Sequence, residues 1–309
     1  MKKVMILGAG NIGRAVAYDL KDEFEVHVGD LNVKALEEVE DFARCMILDV
    51  SDKAHLVDVL ADFDLVIGTL PSRFGYASVE AAIEAGVDMV DISFMPEDPF
   101  ELNENAEDAG VTVVVDAGFG PGMSNVFMGR IDEELDGIEN CIIRLGGLPK
   151  DPEPPLFYKV TWSPYDLIEE YTRDARLIRG GEEVVLDPFD EINPVVINDM
   201  ELEEFYSDGL RTLLDTVNAD TMEETTLRWP GHLEKIKVLR ELGFFEEENL
   251  DPTLKVILPL MKFDSPDISL LDVEAEGTVG DEKRRYHYFL YDEASEEFSS
   301  MSRCTGFTG

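Results

Sequence analysis

Gly8, Gly10 and Gly13 stand at the spacing Gly-x-Gly-x-x-Gly, directly after the apolar run Val4-Met-Ile-Leu7. Glycines at that spacing suit a pyrophosphate. The first makes a tight turn at a strand end, the second lets the backbone approach the phosphates, and the third lets the next helix pack closely. The N-terminus of that helix adds unpaired N–H groups and partial positive charge. Asn11 and Ile12, between the second and third glycines, belong to the same cradle. A second apolar run, Phe24 to Gly29, ends on Asp30, where a carboxylate would hold a ribose 2′-hydroxyl and repel a 2′-phosphate. Leu31 and Asn32 supply no arginine for that phosphate. The expected cofactor is therefore NAD, with NADP disfavoured.

The cradle needs a sheet to carry it, and the first part of the chain supplies one. Apolar strands end near Gly8, Asp30, Ile47, Leu70, Ile92 and Val115, with helical stretches between most of them. Ala77 to Ala85 is helical, closed by Gly86 as a C-cap before a strand at Met89 to Ile92. Short buried strands alternating with helices predict an α/β, doubly wound parallel sheet. Such sheets bind ligands at the carboxyl ends of their strands, which makes candidates of Asp30, Asp49, Thr69-Leu70-Pro71, Asp91-Ile92-Ser93 and Asp116.

Past Gly118 the pattern changes. A glycine-rich breaker, Ala117 to Gly122, leads into a helix at Met123 to Ile131. Strands are expected near Cys141–Leu145, Phe157–Trp162, Glu182–Leu186, Leu270–Glu276 and Arg285–Tyr291, with antiparallel connections. Helices are expected at Tyr165–Tyr171, Gly209–Asn218 and Leu233–Leu242. The domain reading is 1–122 for the dinucleotide-binding sheet and 123–295 for an α+β substrate and dimerisation domain. Residues 296–309 form a further C-terminal segment.

Composition sets the outer bounds. A chain of 309 residues has room for two cores. With 67 acids against 26 lysines and arginines the formal charge is −41, which excludes nucleic acid and anionic membrane surfaces as partners. The acid excess resembles that of chains working in high salt, where self-repulsion is screened. No apolar run reaches the roughly 20 residues of a membrane helix. Met1-Lys2-Lys3 enters the first strand directly, so a cytoplasmic location is expected. Three separated cysteines and four histidines form no metal pattern, so no metal and mostly buried, reduced thiols are expected.

Six further strings carry a resemblance. They are Asp116-Ala-Gly-Phe-Gly-Pro-Gly-Met-Ser-Asn125, Gly146-Gly-Leu-Pro149, Pro152-Glu-Pro-Pro-Leu156, Trp162-Ser-Pro164, Tyr206-Ser-Asp-Gly-Leu-Arg-Thr-Leu213 and Leu227-Arg-Trp-Pro-Gly-His232. In this order, and over essentially the whole chain, they resemble the saccharopine dehydrogenase superfamily, in particular its lysine 6-dehydrogenase-like branch. That branch oxidises the ε-amine of L-lysine with NAD, giving ammonia and an aldehyde that cyclises to piperideine-6-carboxylate. Saccharopine reductases of the superfamily usually carry Tyr, Asp and Cys where this chain has Phe94, Gly120 and Leu145. The loss of those polar groups favours a primary amine over saccharopine or carboxynorspermidine. The family also ends in a helix packed on the first domain, which this chain would only begin.

The resemblance assigns roles. Amine oxidation needs a neutral amine held about 3–3.5 Å from the hydride acceptor and a base for the ammonium proton. Asp91 and Asp116, on the later strand ends, would bind and orient the amine, though aspartates there also cap helices and brace loops. His232 is the third candidate base, by its near-neutral titration. Arg228, then Arg211, would hold the substrate carboxylate, unless each sits in an internal salt bridge. Tyr158 and Trp162, on one face of a strand, would wall the aliphatic chain or pack in the core. Thr69, Leu70 and Pro71 would cover the ribose and nicotinamide, and Asp49 the adenine edge. A homodimer or higher homo-oligomer is implied. The reading of another class is an NAD-sensing protein without turnover.

Overall fold

The computed structural model describes residues 1–309 and divides into two units. The first comprises Met1–Met123 together with Ser302–Gly309, and the second Ser124–Met301. No helix is long and apolar enough to cross a membrane.

The first unit runs β1 (Lys3–Leu7), α1 (Asn11–Leu20), β2 (Glu25–Asp30), α2 (Val33–Glu37), β3 (Arg44–Ile47), α3 (Lys53–Leu60), β4 (Leu65–Gly68), α4 (Ser72–Ala85), β5 (Met89–Asp91), α5 (Asn103–Ala109) and β6 (Val113–Val114). Its six strands lie in the order β3-β2-β1-β4-β5-β6, and every pairing is parallel. This is the doubly wound order whose switch point falls between β1 and β4. Alternate residues of β1 enter two cores. Val4 and Ile6 pack with Val16 and Val28, while Met5 and Leu7 pack with Leu56, Leu60 and Val79. A sheet buried on both faces needs such continuous apolar strands. Gly86 ends α4 in the left-handed conformation at φ 70°.

The second unit runs α6 (Met123–Glu134), β7 (Gly137–Pro149), α7 (Pro164–Thr172), β8 (Ala175–Arg179), β9 (Glu182–Leu186), β10 (Ile192–Ile197), β11 (Met200–Tyr206), α8 (Leu213–Thr216), β12 (Thr221–Arg228), α9 (His232–Glu241), α10 (Glu247–Ile257), β13 (Asp267–Val279) and β14 (Glu282–Glu293). Helix α11 (Ser300–Gly306) carries the chain back into the first unit. The second sheet has the path β10-β11-β12-β7-β13-β14, with β8 also paired to β12 and β9 to β8. All its pairings are antiparallel except β12 with β7.

Two expectations fail here. Residues 157–162 form no strand, because the segment lies between Pro155 and Pro164 and Phe157 takes a left-handed φ of 56°. The helix expected over Gly209–Asn218 shrinks to α8, because Arg211 is left-handed at φ 47° and cannot continue a helical turn. The cysteines are all free, but only Cys141 is buried, which pushes its thiol up to about 12, while Cys45 is exposed.

Candidate functional site

In the first unit the glycine cradle is built by contacts that leave no room for side chains. Gly8 is left-handed at φ 105°, and its N–H donates to Gly29 O at 2.9 Å. A Cβ on Gly13 would lie 2.0 Å from Gly8 O and 2.8 Å from Thr69 Oγ1, so only glycine lets α1 start this close to β1. Thr69 ties the loop to the neighbouring strand end, its hydroxyl donating to Leu7 O at 2.8 Å and Gly8 O at 3.2 Å. Gly10 caps α1 without a side-chain hydrogen bond. Backbone N–H groups at this helix start and a loop shaped by missing Cβ atoms fit a pyrophosphate.

Asp30 is braced from both sides. Its Oδ2 accepts from Ala9 N and its Oδ1 from Asn32 N, each at 2.7 Å. The carboxylate thus links the glycine loop to the loop after β2. Leu70 and Pro71 follow β4, with Pro71 capping α4. Asp49 is exposed and accepts from Ser51 N and Oγ at 3.0 and 2.6 Å, bonds that hold its carboxyl below the usual carboxylate range. Asn11 is exposed, while Ile12 O is near Gly306 of the returning segment.

Asp91 and Asp116 come near one another in the loops beyond β5 and β6. Ala117 N donates to Asp91 O at 3.1 Å, and Asp116 holds a left-handed φ of 53°. Asp91 is fully buried. Ser93 N and Oγ donate to its Oδ2 at 3.0 and 2.5 Å, whereas Oδ1 meets no hydrogen-bond partner. Oδ1 rests against the end of β4, where a Cβ on Gly68 would come within 2.3 Å. Burial pushes the carboxyl up to about 6, against the two Ser93 bonds and with help from the charge of Asp116.

That shift has a testable sign. Between pH 4 and 6 the unfolded Asp91 has lost its proton and the folded one keeps it, so native stability falls across that window and is flat above it. Relative to Asp91→Asn, the wild type should lose about 2 kcal/mol between pH 4.5 and 8 in urea unfolding. A pH-independent difference would show that Asp91 ionises as it does in water.

In the second unit, Arg228, His232, Tyr158 and Trp162 do come together, but inside a core. Arg228 and His232 are 1% and 0% exposed. Arg228 Nε donates to Tyr171 Oη at 2.9 Å, Nη1 to Leu227 O at 2.9 Å, and Nη2 to Glu170. Its guanidinium lies 4.6 Å from the Tyr158 ring centroid and 5.5 Å from those of Tyr171 and Phe205. His232 Nδ1 is 2.6 Å from Leu156 O, so Nδ1 carries the proton and Nε2 accepts from Tyr171 Oη at 2.9 Å. Trp162 Nε1 donates to Tyr158 Oη at 3.2 Å.

The arrangement gives each of these side chains a partner within the chain itself. Burial, and then the charge of Arg228, depress the titration of His232 to about 3, which argues against a base working near neutral pH. His232 fixes Tyr171, which fixes Arg228. Arg228 is spent on Glu170 and Tyr171 rather than on a substrate carboxylate. Tyr158 and Trp162 share a contact across an irregular segment, not a strand face, and Tyr158 is a core residue. Arg211 is likewise committed internally, its Nη1 donating to Asp208 Oδ2 at 3.0 Å. Asp208 also receives Arg176 Nε at 2.8 Å.

Glu170, Tyr171 and Asp208 were not singled out from the sequence. The usable signal was electrostatic: an arginine in the core requires a carboxylate, and Glu170 lies on the helix expected over Tyr165–Tyr171.

The fold and the cradle define a dinucleotide-binding chain with a second, mixed-sheet domain. Residues 4–114 match the saccharopine dehydrogenase NADP binding domain, and residues 118–309 the saccharopine dehydrogenase C-terminal domain. The chain belongs to the saccharopine dehydrogenase family. It is 27% identical over 265 residues to the saccharopine dehydrogenase (NADP(+), L-glutamate-forming) of Saccharomyces cerevisiae, covering 80% of this chain and 59% of that one. It thus spans about three fifths of that relative's length. It is also 24% identical over 287 residues to the carboxyaminopropylagmatine dehydrogenase of Synechocystis, covering 84% and 71%. Among solved structures, apo saccharopine dehydrogenase (L-Glu forming) from Saccharomyces cerevisiae shares the fold, with a TM-score of 0.81 at 20% identity, covering 100% and 89%.

Proposed function

We propose that the chain is an NAD-dependent dehydrogenase that oxidises the C–N bond of an amino acid, with the ε-amine of L-lysine as substrate. The observation that carries the cofactor half is the doubly braced Asp30 beside the Gly13 cradle. A carboxylate fixed there accepts from a ribose diol and repels a 2′-phosphate. The named relative and the matched domain carry NADP in their names, and Asp30 is the reason to separate this chain from them. Asp30→Ser should weaken NAD binding about tenfold and lower the NAD-to-NADP affinity ratio by about a hundredfold. Titration of each nucleotide against protein fluorescence reads both. An unchanged ratio would remove Asp30 from cofactor choice.

Bound NAD supplies the hydride acceptor. The chain's own part is to hold a neutral amine and stabilise the cation left when hydride departs. Asp91 and Asp116 suit that part better than His232, since they stand on strand ends of the cofactor unit and Asp91 titrates near 6. One carboxylate of the pair takes the ammonium proton, and the negative charge they share stabilises the iminium that water then attacks. Phe94, Gly120 and Leu145 offer no polar group for the second amino-acid half of saccharopine, which favours lysine. Product analysis separates the two substrates: lysine oxidation releases ammonia, and saccharopine oxidation releases glutamate. Glutamate from saccharopine with no ammonia from lysine would overturn the lysine assignment.

A further inference from the structure

A cavity of about 360 Å³ lies in the second unit, between the loop that joins β9 to β10 and one face of α9. It is lined by Asp187, Phe189, Asp190, Lys237, Arg240 and Glu241. Its volume is that of a small-molecule site. None of these residues belongs to the dinucleotide cradle, to the loops of Asp91 and Asp116 or to the ion pair of Arg228 with Glu170.

The walls are held in place by the chain itself. Phe189 N donates to Asp187 Oδ1 at 2.8 Å, Asp190 N to Asp187 O at 3.0 Å, and Asp187 N to Asp190 Oδ2 at 3.1 Å, so the loop closes on itself. Arg240 ties that loop to α9, its Nη1 donating to Asp187 Oδ1 at 2.7 Å and its Nη2 to Asp187 Oδ2. This fork holds the Asp187 carboxyl below the usual carboxylate range. Phe189 anchors the loop in the core, its ring 5.4 Å from the Arg240 guanidinium and stacked on Tyr171 at 6.1 Å. Such a site needs little ordering when a ligand enters.

Arg240 and Asp187 cancel one another, and three charges are left over. Lys237 and Glu241 stand one turn apart on the same face of α9, yet neither makes a hydrogen bond or an ion pair. A lysine four residues before a glutamate is the weaker order for a helical pair. Asp190 is exposed and gives Oδ2 to its own loop alone. The remainder is one cation against two carboxylates. We propose that this cavity is a binding site for a free dibasic amino acid, Lys237 taking the α-carboxylate while Asp190 and Glu241 take the two cationic groups. The match is by charge count. A neutral amino acid leaves one carboxylate unanswered, a diamine leaves Lys237 unanswered, and an acidic ligand is repelled by both carboxylates and by the field of the whole chain. The site includes no cradle residue and requires no cofactor, so it stands independently of the proposed reaction.

The test titrates L-ornithine, L-lysine and L-arginine in turn into the full chain without nucleotide, with hydrogen exchange as the localised readout. Amides of 187–190 and 237–241 should gain protection that saturates with at least one of the three. Lys237→Met should weaken that amino acid about tenfold and leave cadaverine, which has no carboxylate, unchanged. Glu241→Gln should weaken both about tenfold, since both bring a cation to that carboxylate. The site is overturned if these segments stay unprotected with all three amino acids, or if Lys237→Met leaves their affinity unchanged. It is overturned equally if cadaverine binds the wild type as tightly as the amino acid does, which would reduce the effect to general attraction of cations by an acidic surface. Failure of the proposed reaction reads differently: no reduced nucleotide forms from lysine, while protection of these segments is retained.

Discussion

Gly13→Val should abolish dinucleotide binding, with loss of NAD affinity of a hundredfold or more, about 3 kcal/mol. The first atom of the new side chain would fall 2.0 Å from Gly8 O, and those are backbone atoms of a turn that cannot retreat. Thr69 Oγ1, at 2.8 Å from the same point, is itself bonded to Leu7 O and Gly8 O. Relief requires α1 to move away from β1, which withdraws the helix N-terminus from the phosphates. The second unit, whose core contains none of these residues, should keep its fold. Nucleotide titration combined with near-ultraviolet circular dichroism of the Trp162 and Trp229 signals, both tryptophans being in that unit, checks the two parts. Retained NAD affinity would mean that the cradle does not hold the pyrophosphate.

Arg228→Leu should destabilise the protein by about 3–5 kcal/mol, the cost of leaving one partner of a buried ion pair uncompensated. Glu170, whose carboxyl burial already pushes up, loses its cation beside an apolar cage of Tyr158, Tyr171 and Phe205, and Tyr171 Oη loses a donor. The double variant Arg228→Leu/Glu170→Leu should recover much of the loss, because two apolar groups replace two charges. Urea unfolding of the wild type, both single variants and the double variant completes the cycle. If the double variant is as unstable as the sum of the singles, the two side chains do not act as a pair. Loss of activity in Arg228→Leu without loss of stability would instead restore the arginine to the substrate.

The first unit was legible because its information is local. The central strands β1 and β4 are short apolar runs, the turns carry their own punctuation, and parallel βα units follow one another in order. The Gly13 contact explains why: a glycine fixed by Gly8 O, five residues away, leaves its mark within one short window. The second unit was legible only in part. Strand β9 came out at Glu182–Leu186, whereas β8 and β10 were missed, as were β11 and β12. Their sequences, Met-Glu-Leu-Glu-Glu-Phe-Tyr and Thr-Met-Glu-Glu-Thr-Thr-Leu-Arg, carry acids that weaken any strand signal in so acidic a chain. Pairing made them strands, and it is distant in sequence: Met222 of β12 lies opposite Cys141 of β7.

The same distinction runs through the site. Gly8, Gly10, Gly13 and Asp30 declare themselves by spacing, and the structure assembles them in one place. His232 and Arg228 invited a site reading by residue type and by the motif they share. Type does not report burial, and burial decides here, turning His232 into a neutral brace and Arg228 into half of a core ion pair. Asp91 shows the opposite case. The strand-end rule found it, but only the structure shows the orphaned Oδ1 and the packing on Gly68 that lift its titration toward neutrality.

The central claim is NAD-linked oxidation of a primary amine, and the most direct measurement is reduced-nucleotide formation followed by absorbance. L-lysine and saccharopine are each offered with NAD and with NADP, at low and molar salt. The account predicts turnover with lysine and NAD, and little with NADP. Turnover with saccharopine and NADP, with lysine inert, would contradict both the Asp30 argument and the substrate assignment.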